Sequence, residues 1–116
     1  MQKHDKIRFQ HMQDAIEEAM SFVKNRSRES LDKDRMLVLA LMKDIEIVGE
    51  AASRISKEVR LATPEIPWAN IIGMRNRLTH AYFDIDLDIL WQTVSHDLPD
   101  LATKLNLVMA TALKNK

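Results

Sequence analysis

Apolar residues recur at steps of three and four along most of the chain, the spacing that places side chains on one helical face. Phe9, Met12, Ile16, Ala19 and Val23 follow this rule and predict a first helix from about Lys3 to Lys24. The next stretch, Asn25-Arg26-Ser27-Arg28-Glu29-Ser30, has no core-facing pattern and reads as a polar connection, ending near a cap at Ser30 or Asp32. Leu37, Leu41, Ile45, Val48, Ala52, Ile55 and Val59 then trace a stripe that predicts the longest helix, from about Lys33 to Leu61. Between Met36 and Met42 every side of this helix is apolar, so part of that turn is expected to meet another helix or another subunit. Gly49 interrupts the helix at a cost of roughly 1 kcal/mol relative to alanine. It lies in a strip of small residues with Ala52, Ser53 and Ser56, which favours close helix–helix contact over backbone approach to a ligand.

Pro64 stops this helix, because the residue before a proline is pushed out of helical geometry. Pro67 suits the first turn of a third helix carrying Trp68, Ile71, Ile72, Arg75 and Leu78 and ending near His80. A fourth helical region is expected from Asp86 to Ala112, capped by Asp84 or Asp86. Pro99 is expected to break or kink it, with Asp97 as a new cap. No repeat is visible. The pattern predicts an all-α fold, an antiparallel bundle of four to five helices in one domain spanning residues 1–116.

Composition agrees with a globular helical chain: 46% hydrophobic and 29% charged residues, with two glycines and three prolines in 116 residues. Charge narrows the function. With 17 basic and 17 acidic residues the net charge is zero, so binding to nucleic acid would need a local patch. The absence of cysteine excludes a disulfide framework and thiol chemistry and fits a reducing compartment. No apolar run follows the N-terminal residues, and the longest, Met36 to Met42, falls far short of the ~20 residues that span a bilayer. A soluble cytoplasmic protein without a membrane partner is expected.

Candidate chemistry concentrates in Arg75-Asn76-Arg77-Leu78-Thr79-His80-Ala81-Tyr82. An arginine and a histidine at one point can cleave RNA without metal, since the guanidinium stabilises phosphorane charge while the imidazole carries a proton. On a continuous helix, residues five apart differ by about 140° and ~7.5 Å, so Arg75 and His80 converge only if the helix ends near Thr79. Asn76 and Thr79 are neutral hydrogen-bonding groups suited to orienting the pair, and Arg77 suits a backbone contact. Taken singly, His80 reads as a capping or surface histidine, Arg75 as the ion-pair partner of an aspartate, and Tyr82 as a half-buried core residue. Asp84 to Asp88 alternates like a calcium loop but has Ile89 and Ser95 where glycine and glutamate are needed. His4 and His11 lack a third zinc ligand, and no phosphate-binding glycine loop exists. Neither metal nor cofactor is expected.

The surroundings of that motif carry a resemblance. Ile45-Glu46-Ile47-Val48-Gly49-Glu50-Ala51, then Ile66-Pro67-Trp68 leading into Ile71-Ile72-Gly73-Met74-Arg75-Asn76-Arg77-Leu78, and then Trp91 and Asp97-Leu98-Pro99, together resemble the HepT-like toxins of the HEPN superfamily. The likeness runs from about Leu31 to Leu105. It implies a helical HEPN domain that forms a homodimer with two Arg–His motifs lining one cleft. It implies an RNA-cleaving toxin whose catalytic pair matches Arg75 and His80. It also implies a minimal nucleotidyltransferase antitoxin as partner, which attaches AMP to the tyrosine matching Tyr82. Whether dimers assemble further is left open. The chain departs from the family at Ala81, where many relatives have glycine, at Lys43-Asp44, where an arginine–asparagine pair is common, and at Asp84, an added negative charge. The alternative reading is a non-catalytic helical partner or substrate of the nucleotidyltransferase, which the neutral charge and the acidic Asp84–Asp88 segment favour slightly.

Overall fold

The computed structural model describes residues 1–79 and 84–114, with side chains described as far as 112. Helix α1 (Lys3–Val23) packs its Phe9, Met12, Ile16 and Ala19 face against α3 (Arg35–Ser53) and α8 (Leu98–Lys114). Between α1 and α3 lies a single turn, α2 (Ser30–Lys33). Short helices α4 (Lys57–Ala62), α5 (Trp68–Ile72), α6 (Met74–Leu78) and α7 (Leu87–Gln92) follow, and a π-helical turn, Thr93–Asp97, joins α7 to α8. The described residues form an all-α bundle of four rods: α1, α3 with α4, α5 with α6, and α7 with α8. One core runs through them, from Phe9 and Leu41 to Leu90 and Leu105, with Phe9 and Trp68 in edge-to-face contact at 5.8 Å.

Two expected helices are broken where polar bonds or glycine compete with the helix, and another is continuous but widened at one turn. The second helix ends at Ser53, and residues 54–56 turn out of it. The cause is Asp5, a buried acid at the start of α1. Its carboxylate accepts from the Ser56 amide at 2.8 Å and from the Ser56 hydroxyl at 2.9 Å. Ser56 in turn caps α4 by accepting from the Val59 amide. This latch joins the start of α1 to the end of α3, so the two run antiparallel. It also leaves α1, not the second helix, as the longest at 21 residues. The cap before α3 is Asp34, whose carboxylate accepts from the Leu37 amide, rather than Ser30 or Asp32. That bond, followed by Arg26, holds the Asp34 carboxyl below its ordinary pKa.

The third helix is divided at Gly73 into α5 and α6. In the fourth, Asp86 caps α7 through the Ile89 amide, as one of the two expected residues. Pro99 does not open a gap: the chain stays helical, and the turn before it widens into the π-helical turn. Proline lacks an N–H and crowds the carbonyl four residues earlier, and a wider turn absorbs both faults. Asp97 therefore lies inside the turn instead of capping a new helix. Gly49 faces α5: a Cβ there would meet the Ile71 carbonyl oxygen at 3.4 Å and that of Ile72 at 3.7 Å. Gly49 thus serves helix–helix contact, whereas Ser53 of the small strip is exposed and Ser56 has left the helix to cap α4.

Candidate active site

Helix α6 carries the arginine motif, and its brevity decides which way each side chain points. It ends at Leu78, and Thr79 is extended at φ −107° and ψ 128°. The end of the helix near Thr79 is the condition for Arg75 and His80 to converge. Leu78 then receives a hydrogen bond on its carbonyl from the Asp86 amide at 2.8 Å, and Thr79 bridges to Ile85. The ends of the intervening segment are thereby held side by side at the C-terminus of α6. His80 and Tyr82 lie within that segment, outside the described residues.

Arg75 is on the surface, its side chain 54% exposed. Its Nε lies 3.7 Å from Glu46 of α3, which also faces Lys43 at 3.9 Å. The partner is thus a glutamate rather than the expected aspartate. At that distance and exposure the contact is a loose ion pair that leaves the guanidinium's terminal nitrogens for another anion. Asn76 is exposed, and its side chain bonds to no described residue. The Thr79 hydroxyl turns back to the Arg75 carbonyl at 3.5 Å, supporting the end of the helix.

Arg77 is not beside Arg75. Two residues on a helix are about 200° apart, so the two arginines leave α6 on opposite sides. Arg77 lines a recess with Asn70, Met74, Asp97 and Asp100, at the start of α8. A further concavity, beside Arg75's partner Glu46, is lined by Arg8, His11, Lys43 and Glu50. Among the described residues no group of three or more His, Cys, Asp or Glu side chains is placed to hold a metal ion, and no helix is long and apolar enough to cross a membrane. Of the aspartates in Asp84–Asp88, Asp86 caps α7, and Asp88, in the first turn of that helix, accepts from Arg28 at 2.6 Å.

Two acidic residues escaped the sequence reading. Glu46 sits on the exposed face of α3, and only tertiary packing brings it to Arg75. Asp44 left a signal: it falls between Leu41 and Val48 at helical spacing, on the edge of the apolar stripe. It is buried, at 1% exposure, and its Oδ2 bonds to nothing among the described residues. Burial first, then the hydrogen bond and charge of Glu18, push its carboxyl up to about 7.

The described residues form an all-α domain with an arginine-bearing helix at its surface, and comparison with known proteins places it more closely. The family model described as "Ribonuclease HepT-like" matches residues 12–108. The chain belongs to the HepT-like ribonuclease family. A protein of Thermococcus cleftensis named "Probable ribonuclease HepT" is 35% identical over 104 residues, 90% of this chain and 94% of that one. "Putative RNase TTE0752" of Caldanaerobacter subterraneus subsp. tengcongensis is 36% identical over 92 residues, 79% of this chain and 82% of its own. "Putative RNase MJ1380" of Methanocaldococcus jannaschii is 30% identical over 95 residues, 82% of this chain and 87% of its own. No solved structure matches the chain.

Proposed function

We propose that the protein is a metal-independent endoribonuclease toxin that cleaves RNA with Arg75 and His80. The observation that carries this reading is the surface guanidinium of Arg75, loosely held by Glu46 at the end of a helix that stops where His80 follows. The histidine takes the proton from the ribose 2′-hydroxyl or returns one to the leaving 5′-oxygen, a partner subunit's histidine taking the other role. The attacking 2′-oxygen bonds to phosphorus, the bond to the 5′-oxygen breaks, and a 2′,3′-cyclic phosphate remains. Arg75 neutralises charge on the phosphorane oxygens as it develops. Asn76, Arg77 and Thr79 support RNA binding and the shape of the site.

The active form is a homodimer of single-domain chains in the cytoplasm, with two motifs facing one cleft. The exposed Met36 and Leu39 of α3, 81% and 51% accessible, support a second copy as the partner of that apolar turn. A minimal nucleotidyltransferase neutralises the enzyme by attaching AMP to Tyr82. The modification adds negative charge and bulk beside the phosphate path to Arg75.

The test is growth arrest and RNA cleavage by the free protein against Arg75→Ala and His80→Ala. Loss of the oriented cation is expected to cost ~10²–10³ in rate, and loss of the proton carrier ~10²–10⁴. A folded variant that cleaves at the parental rate removes that residue from the chemistry.

A further inference from the structure

The recess on the far side of α6 suits neither a phosphate nor a metal ion. Its volume is about 190 Å³, and Ile71, Met74, Leu98 and Leu101 give it an apolar floor. Arg77 stands on the α6 wall, while Asp97 and Asp100 stand on the wall made by the π-helical turn and α8. Lys104 already engages Asp100 at 3.0 Å. Arg77 and Asp97 have no ion-pair partner among the described residues, each other included. A guanidinium and a carboxylate thus share an apolar-floored gap without closing it. A phosphate would meet Asp97 and a metal ion would meet Arg77, each a like charge. A purely aliphatic group would leave both charges without a partner. The group that suits all three surfaces is neutral and planar, with donors on one edge and acceptors on another.

We infer that this recess is a guanine-reading subsite for the RNA substrate, with Asp97 accepting from the base N1–H and N2–H₂ and Arg77 donating to O6 and N7. Arginine paired with O6 and N7 is the commonest base-specific contact, and a carboxylate is the natural acceptor for a base amino group. Adenine would present its amino group where Arg77 needs an acceptor. The volume lies below the ~300 Å³ of pockets that enclose larger ligands, so the recess takes one ring system and leaves ribose and phosphate outside. π-Helical turns occur often at functional sites, and this one carries Asp97 at its end. On this view Arg77 reads a base and not the backbone. The inference rests on the reading of the chain as an RNA-cleaving enzyme.

The test titrates the full chain with guanosine, adenosine, cytidine and uridine and follows backbone amides by NMR. Nucleosides carry no phosphate, so Arg75 does not contribute. Guanosine alone is expected to shift the amides around residues 70, 77 and 97, and Asp97→Asn to weaken it roughly 5- to 150-fold. In parallel, mapped cleavage sites on mixed-sequence RNA are expected to lose a bias toward guanine in Asp97→Asn. Equal responses to all four nucleosides, no shift at the recess, or unchanged guanosine affinity in Asp97→Asn would overturn the inference. If the parental chain cleaves no RNA, the nuclease reading fails on its own, and the titration still decides whether the recess takes guanine.

Discussion

Glu46 lies at the surface with its carboxylate 3.7 Å from the Arg75 guanidinium, while Asp44, two residues earlier, is buried in the core. The two acids face opposite fates on one helix. An aspartate in the unfolded chain ionises near its ordinary 3.8, whereas folded Asp44 ionises only near about 7. Its raised value means that stability is undiminished below the lower pH and is lost as pH rises toward and through the upper one. Each unit is worth roughly 1.4 kcal/mol, so the loss at alkaline pH is a few kcal/mol, shared with Glu18. Asp44→Asn is expected to remove this dependence, so that urea midpoints of variant and parent agree near pH ~4 and separate, variant higher, by pH ~8. Curves that stay parallel across that range would show that Asp44 does not titrate as described. Tyr82 makes the complementary case. A phenol with a pKa near ~10 is a poor base at neutral pH. Tyr82→Phe is therefore expected to stay close to fully toxic while escaping the nucleotidyltransferase, with AMP found on the parental tyrosine by mass spectrometry. Silencing of the phenylalanine variant without modification would point to inhibition by binding alone.

Periodicity located every long helix but could not see where a helix would stop for a tertiary reason. The stripe from Leu37 to Ile55 is buried as its spacing requires, and so is the Phe9–Ala19 face. The break at Ser56 was not legible, because its cause is Asp5, distant in sequence. The division at Gly73 and the widened turn before Pro99 were legible only as weak points, since glycine and proline mark a fault without saying how the backbone resolves it. Within the site, the exposed arginine at a helix end was readable and its glutamate partner was not. The separation of Arg75 from Arg77 follows from helical geometry once α6 is known to carry both. Gly49 offers a test at this scale. A Cβ there sits at ordinary van der Waals distance from the α5 carbonyls, so Gly49→Ala is expected to stabilise by up to ~1 kcal/mol through lower backbone entropy. Gly49→Leu, which would push α5 away, is expected to destabilise by ~1–3 kcal/mol. Thermal melts of both variants check the pair of signs, and destabilisation by alanine would mean that α5 cannot yield at all.

Across the whole molecule, the proposed dimer draws on the exposed Met36 and Leu39 at the N-terminal end of α3. Leu39→Glu places a charge in that patch without touching the core. It is expected to shift a sedimenting dimer to monomer at micromolar concentration and to lower cleavage with it, leaving helix content unchanged. A parental chain that already sediments as a monomer would remove the patch from the assembly. α1 is buried between α3 and α8, and its Gln13 side chain donates to Asn106 at 2.8 Å. The apolar face of α1 is therefore covered in two stages, mostly by α3 and fully only once α8 has docked. The motif on α6 is translated well before the core beneath it can close. The bundle that carries Arg75 is thus completed only when α8 docks, and a chain in which that docking fails leaves the apolar face of α1 partly bare.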